Sequence, residues 1–454
     1  MVGKVALLTS CMVIVWLFIR DKEIRPMGSF GLWIAWMWFT IIGSRPLSGW
    51  LGDRGDDSPD VLLEGSPLDR SVLAALILAG VIVLIRRKPE WPRVFRGKIW
   101  FLAFFLYCCI SIAWSDFPLV SFKRWIREFG NVVMIIILLT ERDVCMSIRA
   151  VLARYAYLAV PLSLVFIWYF PDIGMYYNRD LSESGYCGIT THKNELGSAM
   201  FICGMFLAWE LFYMREEGER KRGFVDSALL ALLLSLVVSL VVLSQSSTAL
   251  LCLMLGLGIL SILKLSWMKR QARYLGTYLL FAGPVAVALF SAHGVLEGIT
   301  GMVGKDLTMT GRTDLWADVL SEPINPLWGT GYQSFWLGSR VDYLWDQYFF
   351  HPRQAHNGYI ETYLNGGVLG LGLLAMMILS IGNMLKKELA EENSVGVLLF
   401  AFWATALLYN CTEARFSGPY LIWVMLGLAA LYQPPKYQPA AMDPAARACA
   451  DKDR

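Results

Sequence analysis

The sequence predicts an all-α polytopic membrane protein of about 12–13 transmembrane helices with one long, partly helical loop, and three observations carry that prediction. Hydrophobic residues make up 56% of the 454 and charged residues only 17%, a balance outside the usual range of soluble domains. Apolar runs close to the ~20 residues that cross a hydrocarbon core recur along the chain. One polar, aromatic and glycine-rich stretch, from His293 to about Leu364, interrupts them. Only helices and closed barrels satisfy their own backbone polar groups in lipid, and unbroken runs such as Ala228 to Leu243 lack the alternation of a barrel strand.

The predicted spans are residues 4–20, 28–44, 71–86, 98–114, 130–140, 150–170, 195–213, 226–243, 248–263, 274–292, 365–383, 395–410 and 418–432. The first lacks a small-residue cleavage site and runs into Arg20, which predicts a retained helix. Lys and Arg in short loops favour the cytoplasmic side. The basic loops at Arg86–Lys98, Arg215–Arg222, Lys264–Arg273 and Lys386–Lys387 are separated by even numbers of spans. One parity therefore satisfies them all, with the C-terminus inside and, for thirteen spans, the N-terminus outside. The organisation that follows is an N-terminal transmembrane bundle (1–292), a large outer loop (293–364), C-terminal transmembrane helices (365–432) and a disordered cytoplasmic tail (433–454) rich in Pro, Ala and charge.

The net charge of +3 comes from basic residues that punctuate apolar runs and form no stripe, which argues against a nucleic-acid partner. The nine cysteines lie mostly inside apolar segments, with neither metal-ligand spacing nor a dense disulfide framework. Core thiols are the plainer reading; a Cys187–Cys411 pair near predicted outer ends is the alternative.

Four polar constellations fall in the predicted outer loops. In Phe122-Lys123-Arg124-Trp125-Ile126-Arg127-Glu128-Phe129, helical spacing separates Phe122, Trp125, Ile126 and Phe129 from Lys123, Arg124 and Arg127. That predicts an interfacial amphipathic helix whose cations suit a phosphate-bearing lipid, with generic anchoring as the plainer reading. Gly188 to Gly197 contains Thr190-Thr191-His192-Lys193-Asn194-Glu195 at the start of a span. A helix N-terminus with such side chains suits an anion, or is simply a cap. Arg312 and Trp316 stand four apart, on one helical face, ahead of a turn at Gly329-Thr330-Gly331. Last comes His351-Pro352-Arg353-Gln354-Ala355-His356-Asn357, followed by Glu361 and the glycines of Leu364–Gly370. A histidine at the mouth of a span suits proton transfer near neutral pH, although an isolated histidine is more often structural. No His/Cys cluster or Asp-x-Asp pair marks an outer-loop metal site, so metal-independent chemistry without a cofactor is expected.

Taken together, Arg312 with Trp316, the Gly329–Gly331 turn, and His356-Asn357 followed by Glu361 resemble the O-antigen ligase and polymerase superfamily. The His192-Lys193-Asn194 box and the Lys123-Arg124 segment add to the likeness, which covers roughly residues 100–430. The resemblance implies a GT-C-like glycosyltransferase at the periplasmic face of a bacterial inner membrane. It implies transfer of a glycan from undecaprenyl diphosphate to an acceptor hydroxyl, on lipid A core for the ligases or on a second lipid-linked glycan for the polymerases. His356 would then be the catalytic histidine of the large loop and Arg312 the arginine near the diphosphate. Lys123, Arg124, Arg127, His192, Lys193 and Arg353 would bind diphosphate, and Asn357, Glu361 and Trp316 would support the acceptor side. The chain departs from the pattern at Ser247, where relatives often carry a basic residue, and in its extra N-terminal span.

Without the family, the same chemistry holds together. Diphosphate departure needs its growing charge stabilised, which a planar guanidinium does bidentately, and the acceptor must lose a proton, which a neutral imidazole accepts with inversion at the anomeric carbon. A charged side chain costs ~2.5–3.5 kcal/mol at the centre of a membrane helix, so the site is expected at the water interface. Three readings follow: a ligase, a polysaccharide polymerase using the same donor, and a transporter or flippase. The last would place ionisable groups at the bilayer midplane and show internal repeats, which the sequence lacks.

Overall fold

The structure, a computed structural model, describes residues 1–24, 28–52, 66–178, 183–213, 223–265, 271, 274, 310–348 and 350–434. Leaving out single-turn helices, the described residues begin with α1 (Val2–Ile24), α2 (Phe30–Ile42), α3 (Pro67–Arg87), α4 (Ile99–Ile110), α5 (Pro118–Leu139), α6 (Val144–Tyr169), α7 (Lys193–Tyr213), α8 (Phe224–Leu243) and α9 (Ser247–Ile262). Then come α10 (Thr310–Ser321), α11 (Ser339–Gln347), α12 (Gly358–Ala390), α13 (Ser394–Tyr409) and α14 (Leu421–Leu431). An antiparallel hairpin of β1 (Met175–Asn178) and β2 (Glu183–Tyr186), with Met175 opposite Tyr186, joins α6 to α7.

Every predicted span except 274–292 coincides with one of these helices; residues 275–309 and the tail from 435 lie outside the described residues. Among the described residues, six helices are long and apolar enough to cross a membrane, and five shorter apolar ones accompany them. The molecule is an all-α, multi-pass membrane protein.

Burial sorts the helices into a centre and a rim. The most apolar windows of α6 and α7 are 72% and 83% buried, against 11% and 17% for α1 and α3. The rim helices turn Leu8, Val15, Leu78 and Ile85 outward, as helices bathed in lipid do. In the half of the bundle away from the outer loops, buried arginines find carboxylates: Arg149 Nη2 lies 2.9 Å from Glu210 and Arg154 Nε 3.1 Å from Asp21. Each pair ties two helices together, since either charge alone would be costly to bury.

Three readings are corrected. The amphipathic segment 122–129 is not a separate interfacial helix; it is the first half of α5, which runs without a break into the predicted span. Pro118 sits at its start, where the missing N–H is harmless, and no helix breaker follows. The helix carrying Glu361 begins at Gly358, not 365, because Asn357 caps it by accepting from Tyr359 N and Ile360 N. Pairing of Cys187 with Cys411 is also absent: both are free thiols.

Helix α12 is interrupted at Gly367 (φ 61°, ψ −163°). The Asn325–Gly331 turn fills the gap: Val368 N and Leu369 N donate to the carbonyls of Pro326 and Leu327, while Thr330 N and Gly331 N donate to those of Leu364 and Asn365. A Cβ on Gly367 would lie 2.3 Å from the Leu327 carbonyl carbon, so only glycine allows this approach. The glycine-rich motifs thus lock the large loop onto a membrane helix.

Candidate active site

The site is built at the N-terminus of α12. The segment before it is held from three sides. Trp316 Nε1 donates to Ala355 O at 2.7 Å, Trp345 Nε1 to Pro352 O at 2.9 Å, and Ala355 N to the Glu361 carboxylate at 2.9 Å. Glu361 also accepts from Trp336 Nε1 and Asn365 Nδ2; with its oxygens so engaged, it acts as a brace. His356 adopts the left-handed region (φ 50°), a conformation that a non-glycine residue holds only when its surroundings fix it.

The loop between α13 and α14 closes over this segment. Gly358 N donates to Asn410 O, Arg415 N to Asn410 Oδ1 at 2.7 Å, and Asn357 Nδ2 to Cys411 O. These bonds bring Glu413, 2% exposed, beneath the predicted residues. Arg312 Nη2 lies 3.8 Å from Glu413 Oε1, and Asn194 Nδ2 donates to that oxygen at 3.0 Å. His356 Nδ1 lies 3.5 Å and Arg415 Nη2 3.7 Å from Oε2. Arg312 also donates to Thr412 O at 2.7 Å. Burial pushes the Glu413 carboxyl upward, but the contact and charge of His356, then the charges of Arg415 and Arg312, hold it down to about 2. Glu413 is therefore a carboxylate at neutral pH, shared by two guanidiniums and an imidazole.

Arg415 also lines a cavity of about 620 Å³. Its guanidinium carbon stands 3.9 Å from the Tyr420 ring centroid, and its Nε is buried without a hydrogen-bond partner. Arg70, Lys123, Arg124 and Arg127 line the same cavity, against the carboxylates of Asp69 and Glu195. The three cations of α5 face it because they recur at helical spacing. Arg124 is further fixed by donation to Gln333 O in the large loop. Much of the remaining wall is apolar, from Ile41, Leu73, Ile77 and Ile126 among others, with the hydroxyls of Ser44, Thr190, Thr191 and Ser198 between them. One chamber thus offers cations and a greasy flank together, the two demands of a phosphorylated lipid.

Three predicted diphosphate ligands do not line it. His192 stacks on Tyr176 (centroids 4.6 Å apart) and its Nδ1 accepts from Asn194 N, Lys193 opens α7, and Arg353 lies over the Trp345 ring. In that motif it is Asn194, two residues on, that reaches Glu413. Position 247 begins α9, whose Thr248 hydroxyl is 2.8 Å from that of Thr412, so the departure from the family pattern borders the same loop.

Sequence reasoning missed Glu413 and Arg415. The signal was present: Thr412-Glu413-Ala414-Arg415 places two ionisable residues in a short connection between two wholly apolar helices, where a charge needs a reason. It also missed Glu128, buried in α5, which accepts from Trp423 Nε1, Gly418 N, Asn131 Nδ2 and Tyr332 OH and so anchors the far end of the same loop.

Fold and site define a multi-pass helical membrane protein with a cationic and imidazole cluster at the mouth of an amphipathic chamber. The family described as O-Antigen ligase (Wzy_C) matches residues 229–375, a stretch that contains both Arg312 and His356. The chain is also 29% identical over 339 residues, 72% of its own length and 74% of the relative's, to the exopolysaccharide production protein ExoQ of Rhizobium meliloti (strain 1021). Both likenesses are to the O-antigen ligase and polymerase superfamily.

Proposed function

We propose that the chain transfers a glycan from a polyprenyl diphosphate, undecaprenyl diphosphate in bacteria, to an acceptor hydroxyl, without metal and with inversion, at the periplasmic face of the inner membrane. The observation that carries this reading is the convergence of Arg312 and His356 on Glu413, joined through Arg415 to the cation-lined chamber.

The diphosphate sits against Arg124, Arg127 and Arg415, with Lys123 at the edge, and the isoprenoid lies along the apolar wall. Glu413 faces His356 Nδ1 at 3.5 Å, which leaves Nε2 as the base. The acceptor oxygen attacks the anomeric carbon as its proton passes to Nε2. The carbon–oxygen bond to diphosphate breaks, and the departing diphosphate keeps the electron pair. The guanidiniums stabilise that charge, and the Glu413 carboxylate stabilises the imidazolium that forms.

The exopolysaccharide relative favours a second lipid-linked glycan as acceptor, the polymerase reading. The ligase reading, with lipid A core as acceptor, uses the same donor site. The test is incubation of the purified protein with undecaprenyl-linked glycan and each acceptor in chelator; growth of glycan on the carrier supports the polymerase, and its appearance on lipid A core the ligase. Movement of the glycan across vesicles with its linkage unchanged would instead mark a transporter.

A further inference from the structure

The end of the bundle away from the site holds a second large cleft, of about 1410 Å³, between the start of α4, the end of α12 and the end of α14. Its floor is built. Lys98 Nζ, 6% exposed with its residue, donates to Tyr432 O at 2.8 Å, and Gln433 Nε2 stitches the end of α14 to the carbonyls of Arg93 and Arg96. Arg93, Arg96, Lys98 and Lys387 line it against one carboxylate, Glu90.

Elsewhere in this half the protein matches its arginines with carboxylates: Arg20 with Asp226, Arg87 with Glu141, Arg149 with Glu210 and Arg154 with Asp21. No such ion pair is formed by Arg93, Arg96 or Lys387 among the described residues. The rest of the lining is apolar, with Phe101, Met377, Ile381 and Met384. Exposed Met376 and Leu379 continue that surface along α12. Beside it, half-exposed Trp91 stacks on Phe95 with an interplanar angle of 9°, the type of aromatic pair that sits at headgroup depth.

We propose that this cleft holds the headgroup phosphate of an anionic glycerophospholipid, with its acyl chains lying along α4 and α12. Converging cations, an apolar flank and an interfacial aromatic pair are what such a lipid needs. The chain's own tail is a poorer occupant, because residues 435–454 carry Lys436, Arg447, Lys452 and Arg454 against Asp443, Asp451 and Asp453, close to neutral.

The experiment is native mass spectrometry of the full-length protein titrated with phosphatidylglycerol or phosphatidylcholine. The wild type should retain phosphatidylglycerol selectively. The triple variant Arg93→Gln, Arg96→Gln, Lys387→Gln should bind it on the order of a hundredfold more weakly. Arg142→Gln, an exposed cation outside the cleft, should bind as the wild type does. Should the triple variant fail to fold, Lys387→Gln alone should still weaken binding by about fivefold. Equal retention of the two lipids, undiminished binding by the variants, or a gain of binding on removing residues 435–454 would overturn the proposal. None of these outcomes depends on the glycan-transfer reading.

Discussion

Arg312 and His356 approach opposite oxygens of one carboxylate, Arg312 at 3.8 Å from Glu413 Oε1 and His356 at 3.5 Å from Oε2. Two residues 44 positions apart in sequence, Arg312 on α10 and His356 in the segment that leads into α12, are thereby held as one unit by a residue of the loop between α13 and α14. A base and a charge stabiliser so coupled should behave non-additively.

His356→Ala and Arg312→Ala should each reduce glycan transfer by at least about a hundredfold. Both proteins should reach the membrane at wild-type levels, since Arg312 and His356 are partly exposed at the surface of the site. The double variant should be little worse than the poorer single one. Transfer assays on membranes normalised for protein amount check this.

Glu413→Gln removes the charge and keeps the shape. The imidazolium formed during transfer then loses the carboxylate that faces it, so the maximal rate should fall. Stability gives a second readout. The Glu413 carboxyl is held below its ordinary 4.5, at about 2, so its stabilising contribution is complete above 4.5 and is lost as pH falls toward 2. Thermal unfolding in detergent across that window should show this loss in the wild type and lack it in Glu413→Gln.

Neutralising Arg124 or Arg127 with Gln should raise the half-saturating concentration of lipid-linked donor more than it lowers the maximal rate. These groups line the chamber proposed to hold the donor. A steady-state titration of donor at fixed acceptor separates the two effects.

Gly367→Ala should be destabilising by roughly 1–3 kcal/mol or more, because the residue sits at φ 61° with the Leu327 carbonyl carbon 2.3 Å from the added Cβ. Gly372→Ala, five residues on with nothing within 4 Å, is the matched control and should be near neutral. Thermal unfolding of the pair, with protease cleavage of the large loop, tests whether the interrupted helix is what docks it.

The helices were legible in the sequence because membrane spans announce themselves by apolar length, whereas starts set by caps, Asn357 for α12 and Asp143 for α6, fell several residues before the predicted ones. The loop residues Arg312, Trp316 and His356 were legible by residue type and spacing. Glu413 was not, because its role depends on α13 and α14 folding back on the large loop, a tertiary fact that no local pattern encodes. The same cause explains His192 and Asn194. Both are polar residues at a helix start, and only packing decides that Asn194 faces Glu413 while His192 turns to Tyr176. The interfacial helix was misread because amphipathic periodicity continues into an apolar run without a break, and periodicity alone does not mark where a helix stops.

The most direct test of the account is the transfer reaction itself, run with purified wild type and Glu413→Gln on undecaprenyl-linked glycan with chelator present. The account predicts glycan-extended product from the wild type and at least about a tenfold loss in the variant. Transfer by Glu413→Gln at the wild-type rate across the whole pH range would contradict it.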